Sequence, residues 1–449
     1  MGASAAVPGA ATRSIERHAL PTIYQTLLSA GPGRGVVLLG PRRVGKTVLL
    51  HQIAGRLLLS GVEPGRVVLL SLDDPALQRL DLGALLDHVE RLAPPVEGPR
   101  YLLLDEIQTS PDWAAWLKRI ADRREPYIFL ATGSSATALR HGGQDAGLGR
   151  WREMTLYPWS FLEHADLRKF ELFRLDGWED LHRSSAQGNI GVDLGDEDTV
   201  QLDAALSDYL LRGGFPEVAN APDLAEARRR LRQDILERAL GRDIVDVQNV
   251  SARVLERMFL RVCLNPGGLW SDAEVAKDLE LSRATVAKYL EILERAFLVF
   301  SLPNFASLVK GQRKVYLVAP AIRQALLGLD ATDLENPDEW GKVVENAVVA
   351  TAVGTIPDAR IGFWRRGRDE CDLVIQYPDG HATMIEVKRG SRRAERGIAA
   401  ARAALGVPGL DWILGRSTAP AGEGPIVTHA ALWLAQQRAD AGGTLRIGG

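Results

Sequence analysis

Val36 to Leu50 reads VVLLGPRRVGKTVLL, and this stretch decides the fold. The apolar run Val36 to Leu39 ends at Gly40-Pro41-Arg42-Arg43-Val44-Gly45-Lys46-Thr47, which fits the spacing G-x-x-x-x-G-K-[ST]. An apolar helical pattern, Val48, Leu49, Leu50 and Ile53, follows at once. Strand, loop and helix in that order bring several backbone N–H groups round a polyphosphate. Gly40 and Gly45 let the loop curl without a Cβ in the way, and the new helix offers its positive end. Gly40 through Val48 are thus the expected nucleotide contacts, with Lys46 reaching the β- and γ-phosphates of ATP and Thr47 ligating Mg²⁺. The alternative is a glycine-rich turn that fits by accident, and the flanking strand and helix argue against it.

Working outward, Arg66 to Leu72 is a second strand and Tyr101 to Leu104 a third, which delivers Asp105-Glu106 at its C-terminal end, where open α/β sheets place their ligands. Asp105 is expected in the Mg²⁺ shell and Glu106 as the carboxylate that polarises the attacking water, against the plainer reading of a helix cap. Trp113, Trp116, Leu117 and Ile120 recur at helical spacing and read as a buried face. Tyr127 to Leu130 is a fourth strand ending in Ala131-Thr132-Gly133-Ser134-Ser135. Thr132 and Ser134 are candidates to contact the γ-phosphate or the water, with helix capping as the alternative. Arg150 and Arg152 flank the start of a fifth strand, Trp151 to Leu156. Either would stabilise phosphoryl charge, in cis or from a neighbouring subunit, or else merely solvate the surface.

Composition narrows the class. The 449 residues are 46% hydrophobic and 25% charged, an ordinary globular balance, and a formal charge of −3 gives no global attraction to polyanions. Any nucleic-acid surface must be local. Two distant cysteines, Cys263 and Cys371, exclude a disulfide framework or a Cys₄ zinc site. No apolar run approaches the ~18 residues that span a bilayer, and the N-terminus lacks a signal peptide's apolar core. A cytoplasmic protein without membrane contact is expected.

In the middle of the chain, Val254 to Cys263, Ser271 to Leu279 and Ser282 to Arg295 read as three helices. Leu298 to Leu302 and Val315 to Leu317 then form a hairpin round a basic tip, Lys310 to Lys314. This is the pattern of a winged helix-turn-helix, with Arg283, Thr285 and Lys288 opening the recognition helix. Contact with DNA and packing against protein both remain open. Near the C-terminus a hairpin places Asp372 on one strand and Glu386-x-Lys388 on the next, and period-two alternation points Glu386 and Lys388 to one face. Two carboxylates suit a hard cation such as Mg²⁺, and Lys388 would orient or activate a water.

Taken together, GPRRVGKT, YLLLDEI, ATGSS, GRWREMTLYPWSFLE and YLLRGGFPEV resemble the bacterial and archaeal ATPases of the extended AAA+ group, AAA_14-like, that carry a C-terminal DUF4143 domain. The resemblance implies a P-loop sheet of the additional-strand type, Glu106 as catalytic carboxylate and Ser134 at the sensor position. Arg212 is then either a second sensor or part of a helix–helix turn. The C-terminal hairpin resembles the PD-(D/E)XK nuclease fold, which implies Glu345 as its helix-borne acid beside Asp372 and Glu386, in an active nuclease or in a relic used for docking.

The expected architecture is α/β. A P-loop core spans 1–170, an insertion and helical linker 171–250, a winged helix 251–320 and a nuclease-like domain 321–449. The expected function is ATP hydrolysis coupled to nucleic-acid handling, with possible self-association through Arg150. The alternative is a nucleotide-controlled switch that binds protein and cuts nothing.

Overall fold

The computed structural model describes residues 15–77, 81–110, 113–133, 149–170, 196–233, 239–240, 250–306, 312–356, 358–387, 392–409, 411–416 and 426–436. The chain divides into two compact units, one running as far as Tyr157 and the other from Pro158 onward, with residues 295–297 grouping with the first. The expected boundary at 170 thus lies beyond the observed one. Apart from residues 295–297, the segments expected as linker, winged helix and nuclease-like domain fall in the second unit. Among the described residues no helix is long and apolar enough to cross a membrane.

In the first unit β1 (Arg34–Leu39), β2 (Val67–Ser71), β3 (Arg100–Asp105), β4 (Tyr127–Gly133) and β5 (Arg152–Thr155) form one parallel sheet in the order β2-β3-β4-β1-β5. β4 separates β1 from β3, which is the additional-strand arrangement. β3 and β4 are buried at every position, and they read as continuous apolar runs because helices cover both faces. Trp113, Leu117 and Ile120 pack in this core with Leu102, Leu104 and Phe129, and Trp116 lies partly buried at its margin. The first described helix runs Leu20–Leu28 with Pro21 in its first turn. Pro21 suits that position, because proline's missing N–H costs nothing in a first turn.

The second unit holds two further sheets. Helices Ala252–Leu264, Asp272–Leu279 and Arg283–Arg295 accompany an antiparallel sheet ordered β6-β8-β7, built from β6 (Leu269–Trp270), β7 (Val299–Pro303) and β8 (Arg313–Leu317). After helix Pro337–Thr355 come β9 (Arg360–Arg366), β10 (Asp369–Gln376), β11 (Ala382–Val387), helix Arg392–Leu405, β12 (Asp411–Gly415) and β13 (Ile426–His429). Their sheet is ordered β13-β12-β11-β10-β9, antiparallel on the β9–β11 side and parallel on the other. Helix Pro337–Thr355 buries Val344, Ala347 and Val348 against Phe363, Leu373 and Ile385 of this sheet. The two sheets are joined where Asn304, just past β7, bridges to Phe363 and hydrogen-bonds the backbone of Arg365.

Candidate nucleotide site and C-terminal acidic cluster

The loop after β1 adopts the conformations its glycines permit. Gly45 has φ +96° and Gly40 φ +154°, and a Cβ at Gly40 would lie 2.3 Å from the Leu156 carbonyl oxygen. Arg43 also takes a positive φ of 65°. Helix Lys46–Leu59 starts directly from Gly45, so its first N–H groups face the loop. Lys46 is buried, and its Nζ donates to the carbonyls of Gly40 (2.8 Å) and Pro41 (2.7 Å), closing the loop on itself. Burial pushes the Lys46 ammonium down to about 8, although the carboxylates of Glu106 and Asp105 pull the other way. Arg17, 6% exposed, donates to the Val44 carbonyl at 2.6 Å and to the Tyr157 carbonyl at 2.9 Å. It thereby ties the loop to the end of the unit. No motif in the sequence marks Arg17.

The acid pair meets this loop from β3. Thr47 Oγ1 donates to Asp105 Oδ2 at 2.7 Å, and the fully buried Thr132 hydroxyl donates to Asp105 Oδ1. The Glu106 N–H donates back to Thr132 Oγ1 at 3.2 Å, so one hydroxyl on β4 fixes both acids. Glu106 itself sits at φ 51°, a left-handed conformation that is rare for a residue with a side chain, and the Gln108 amide donates to its Oε2. Thr47 and Asp105 are hard oxygen donors in contact, a set that suits a hydrated Mg²⁺. Of the two polar candidates on the fourth strand, Thr132 makes these bonds, and Ser134 lies outside the described residues. Pro41, Arg42, Arg43 and Val44 line the loop, and Val48 is exposed in the first helical turn.

Arg150 does not reach this site within the chain. β5 runs parallel to β1 with Arg152 level with Val36, so Arg150 lies at the entry edge of the sheet, roughly 20 Å from the loop at ~3.3 Å per residue. There it pairs with Asp122 at 2.7 Å, in the last turn of helix Trp113–Arg123. Of the roles left open for Arg150, this pairing leaves action from a neighbouring subunit as a proposal. In the second unit Arg212 pairs with Asp208 at 2.7 Å, which also holds the buried His164 at 2.8 Å.

The C-terminal acids do gather, but not as a metal site. Glu345 from its helix and Asp372 from β10 converge, and a bulge between Cys371 and Val374 turns Asp372 out of the regular ladder. Asp372 Oδ2 accepts the Val387 N–H at 3.0 Å and Glu386 Oε2 accepts the Asp372 N–H at 3.2 Å. Between Glu345 and Asp372 sits Lys314, expected at a basic hairpin tip and found buried. Among the described residues no group of three or more His, Cys, Asp or Glu could hold a metal ion. This is the correction to the metal role expected of Glu345, Asp372 and Glu386, since a cation is already bonded between the first two. Lys388 lies outside the described residues. Arg313, also expected at the tip, pairs with Asp272 at 2.6 Å.

Residues 33–165 match a family model described as an AAA domain (AAA_14), and residues 203–333 match a domain of unknown function (DUF8612). An uncharacterised protein of Methanocaldococcus jannaschii is 30% identical over 285 residues, covering 62% of this chain and 59% of that protein. The chain thus spans less than two thirds of that relative's length. An uncharacterised protein of Haemophilus influenzae is 25% identical over 355 residues, covering 76% of this chain and 81% of its own. Among solved structures, a Walker-type ATPase of Pyrococcus abyssi aligns at 16% identity and a TM-score of 0.40, over 70% of this chain and 97% of that one. By family match and by the geometry of its own loop and acid pair, segment 33–165 is similar to AAA-type P-loop ATPase domains.

Proposed function

We propose that the chain binds ATP with Mg²⁺ at Gly40 through Val48 and hydrolyses it, and that turnover controls the state of the second unit. The observation that carries this reading is the single hydrogen-bonded set Thr47–Asp105–Thr132–Glu106 beside the buried Lys46. Lys46 would neutralise β- and γ-phosphate charge, exchanging two neutral carbonyl partners for anionic ones. Thr47 and Asp105 would hold Mg²⁺, which supplies charge neutralisation at the phosphates. Thr132 ties the Asp105 carboxylate to the Glu106 N–H, and Glu106 would be the carboxylate that polarises the attacking water. Lys46→Ala tests the reading. It should abolish ATP turnover and weaken ATP binding, and unchanged turnover in a folded Lys46→Ala protein would overturn it.

For the second unit, the order helix, strand, helix, helix, strand, strand over 252–317 supports a winged helix, and the exposed Arg283 and Lys288 on its third helix suit phosphate contact. The sheet β9–β13 with helices Pro337–Thr355 and Arg392–Leu405 supports a nuclease-like fold. One observation favours a binding role for that fold over cleavage. Its acids are bonded to a lysine from the neighbouring hairpin. A nucleotide-controlled device that grips nucleic acid or protein, without cutting, is the form of the function these residues support best.

A further inference from the structure

In the second unit several elements converge on one ammonium. The Lys314 side chain is 4% exposed, and its Nζ lies 3.0 Å from Glu345 Oε1, 2.7 Å from Glu370 Oε1 and 3.5 Å from Asp372 Oδ1. Tyr316, two residues on and so on the same face of β8, donates to Glu345 Oε1 at 2.8 Å. The Lys314 ammonium also stands 5.4 Å from the Phe363 ring centroid. Burial works against its charge, yet Glu345, Tyr316, Asp372 and Glu370 together hold the ammonium well above the ordinary lysine range. It is a fixed cation.

Two independent features close the cluster. Gly267, at φ +73°, packs so tightly over it that a Cβ there would lie 2.8 Å from Glu345 Oε1 and 2.8 Å from the Tyr316 ring. Its N–H donates to the Val315 carbonyl at 2.9 Å, which pins it over β8. The acids are also bound into the sheet by the Val387 and Asp372 N–H groups. Octahedral Mg²⁺ keeps several waters, and with the Lys314 ammonium held under this roof the set does not suit it.

Resting on the nuclease-like reading of this sheet, we propose that Lys314 is the resident cation of the cluster. Its ammonium takes the place between Glu345 and Asp372 that a divalent ion would need, so this fold docks without cleaving, and removing Lys314 creates a divalent-cation site. The lysine comes from the hairpin of the neighbouring sheet. The contact that displaces a metal therefore also fastens the two sheets together.

The test titrates Mn²⁺, without nucleotide, into the full chain carrying Asp105→Asn, which takes the P-loop out of the readout. With Lys314 intact, no Asp372-dependent Mn²⁺ should bind up to about 1 mM. Adding Lys314→Ala should give about one Mn²⁺ per chain and a metal-dependent rise in melting temperature, both lost on further Asp372→Asn. Asp372-dependent Mn²⁺ binding with Lys314 in place would overturn the proposal, as would a folded Lys314→Ala chain that gains none. Should Lys314→Ala fail to fold, Lys314→Ala with Glu370→Gln lowers the charge imbalance, keeps Glu345 and Asp372, and carries the same two readouts. None of these outcomes depends on ATP turnover, so failure here and failure of the ATPase reading are separately visible.

Discussion

Thr47 Oγ1 donates a 2.7 Å hydrogen bond to Asp105 Oδ2, joining residues 58 apart in the chain at the C-terminal edge of one parallel sheet. β4 lies between β1 and β3, and the bond spans it, joining the loop-borne hydroxyl to the strand-borne carboxylate. Each residue alone is common. Their contact, beside a buried lysine, makes the site specific.

Thr132 is the brace of that arrangement, so Thr132→Val should damage catalysis more than binding. The substitution keeps shape but leaves the Glu106 N–H without its acceptor, a loss of about 1–3 kcal/mol in a buried setting. Denaturant melts should show that destabilisation. Steady-state kinetics should show kcat falling well before KM for ATP changes. A Thr132→Val protein with wild-type kcat would remove Thr132 from the site.

ATP binding should take up protons in mildly alkaline solution. Burial holds Lys46 near 8, and phosphate oxygens in place of neutral carbonyls would raise it again. At about pH 8.5 a fraction of the Lys46 population is neutral and must gain a proton as ATP binds. Calorimetry in buffers of different ionisation enthalpy reads this directly. At about pH 6.5 the uptake attributable to Lys46 should vanish.

Glu345 gives a second pH signature of opposite origin. Burial and then the Asp372 charge raise its carboxyl to about 7, despite the opposing pull of Lys314. A carboxyl raised on folding contributes stability that is present below its unfolded value near 4.5 and is lost as pH rises through about 7. Melting curves of wild type and Glu345→Gln should therefore diverge. The wild type should lose stability relative to the variant between about pH 5 and about pH 8. Parallel curves would show that Glu345 does not titrate there.

The exposed Arg283 and Lys288 carry the nucleic-acid reading. If they meet phosphates, replacing either by alanine should weaken binding to duplex DNA and reduce its logarithmic salt dependence by about 1. An electrophoretic shift at several salt concentrations decides it. Wild-type protein that shifts no nucleic acid at low salt would leave protein docking as the role of this surface.

The first unit was legible because its chemistry is local. The glycines, lysine and threonine of the loop are consecutive, and the acid pair ends its own strand, so spacing alone announces both. Arg150 misled because its distance from the loop depends on the direction of β5, which no local pattern reveals. Lys314 misled for a similar reason. One of several basic residues at a hairpin tip, it carries no local mark of burial, yet alternation along β8 turns it and Tyr316 toward acids 29 to 58 positions away. Arg17 carries no motif at all, and only its two carbonyl contacts reveal it.

The most direct test follows ATP binding and turnover together in wild type and in Glu106→Gln. The account predicts that both proteins bind ATP with magnesium, and that the variant's kcat falls by about 10²–10⁴. Equal turnover in the two proteins, or no measurable ATP binding by either, would contradict it.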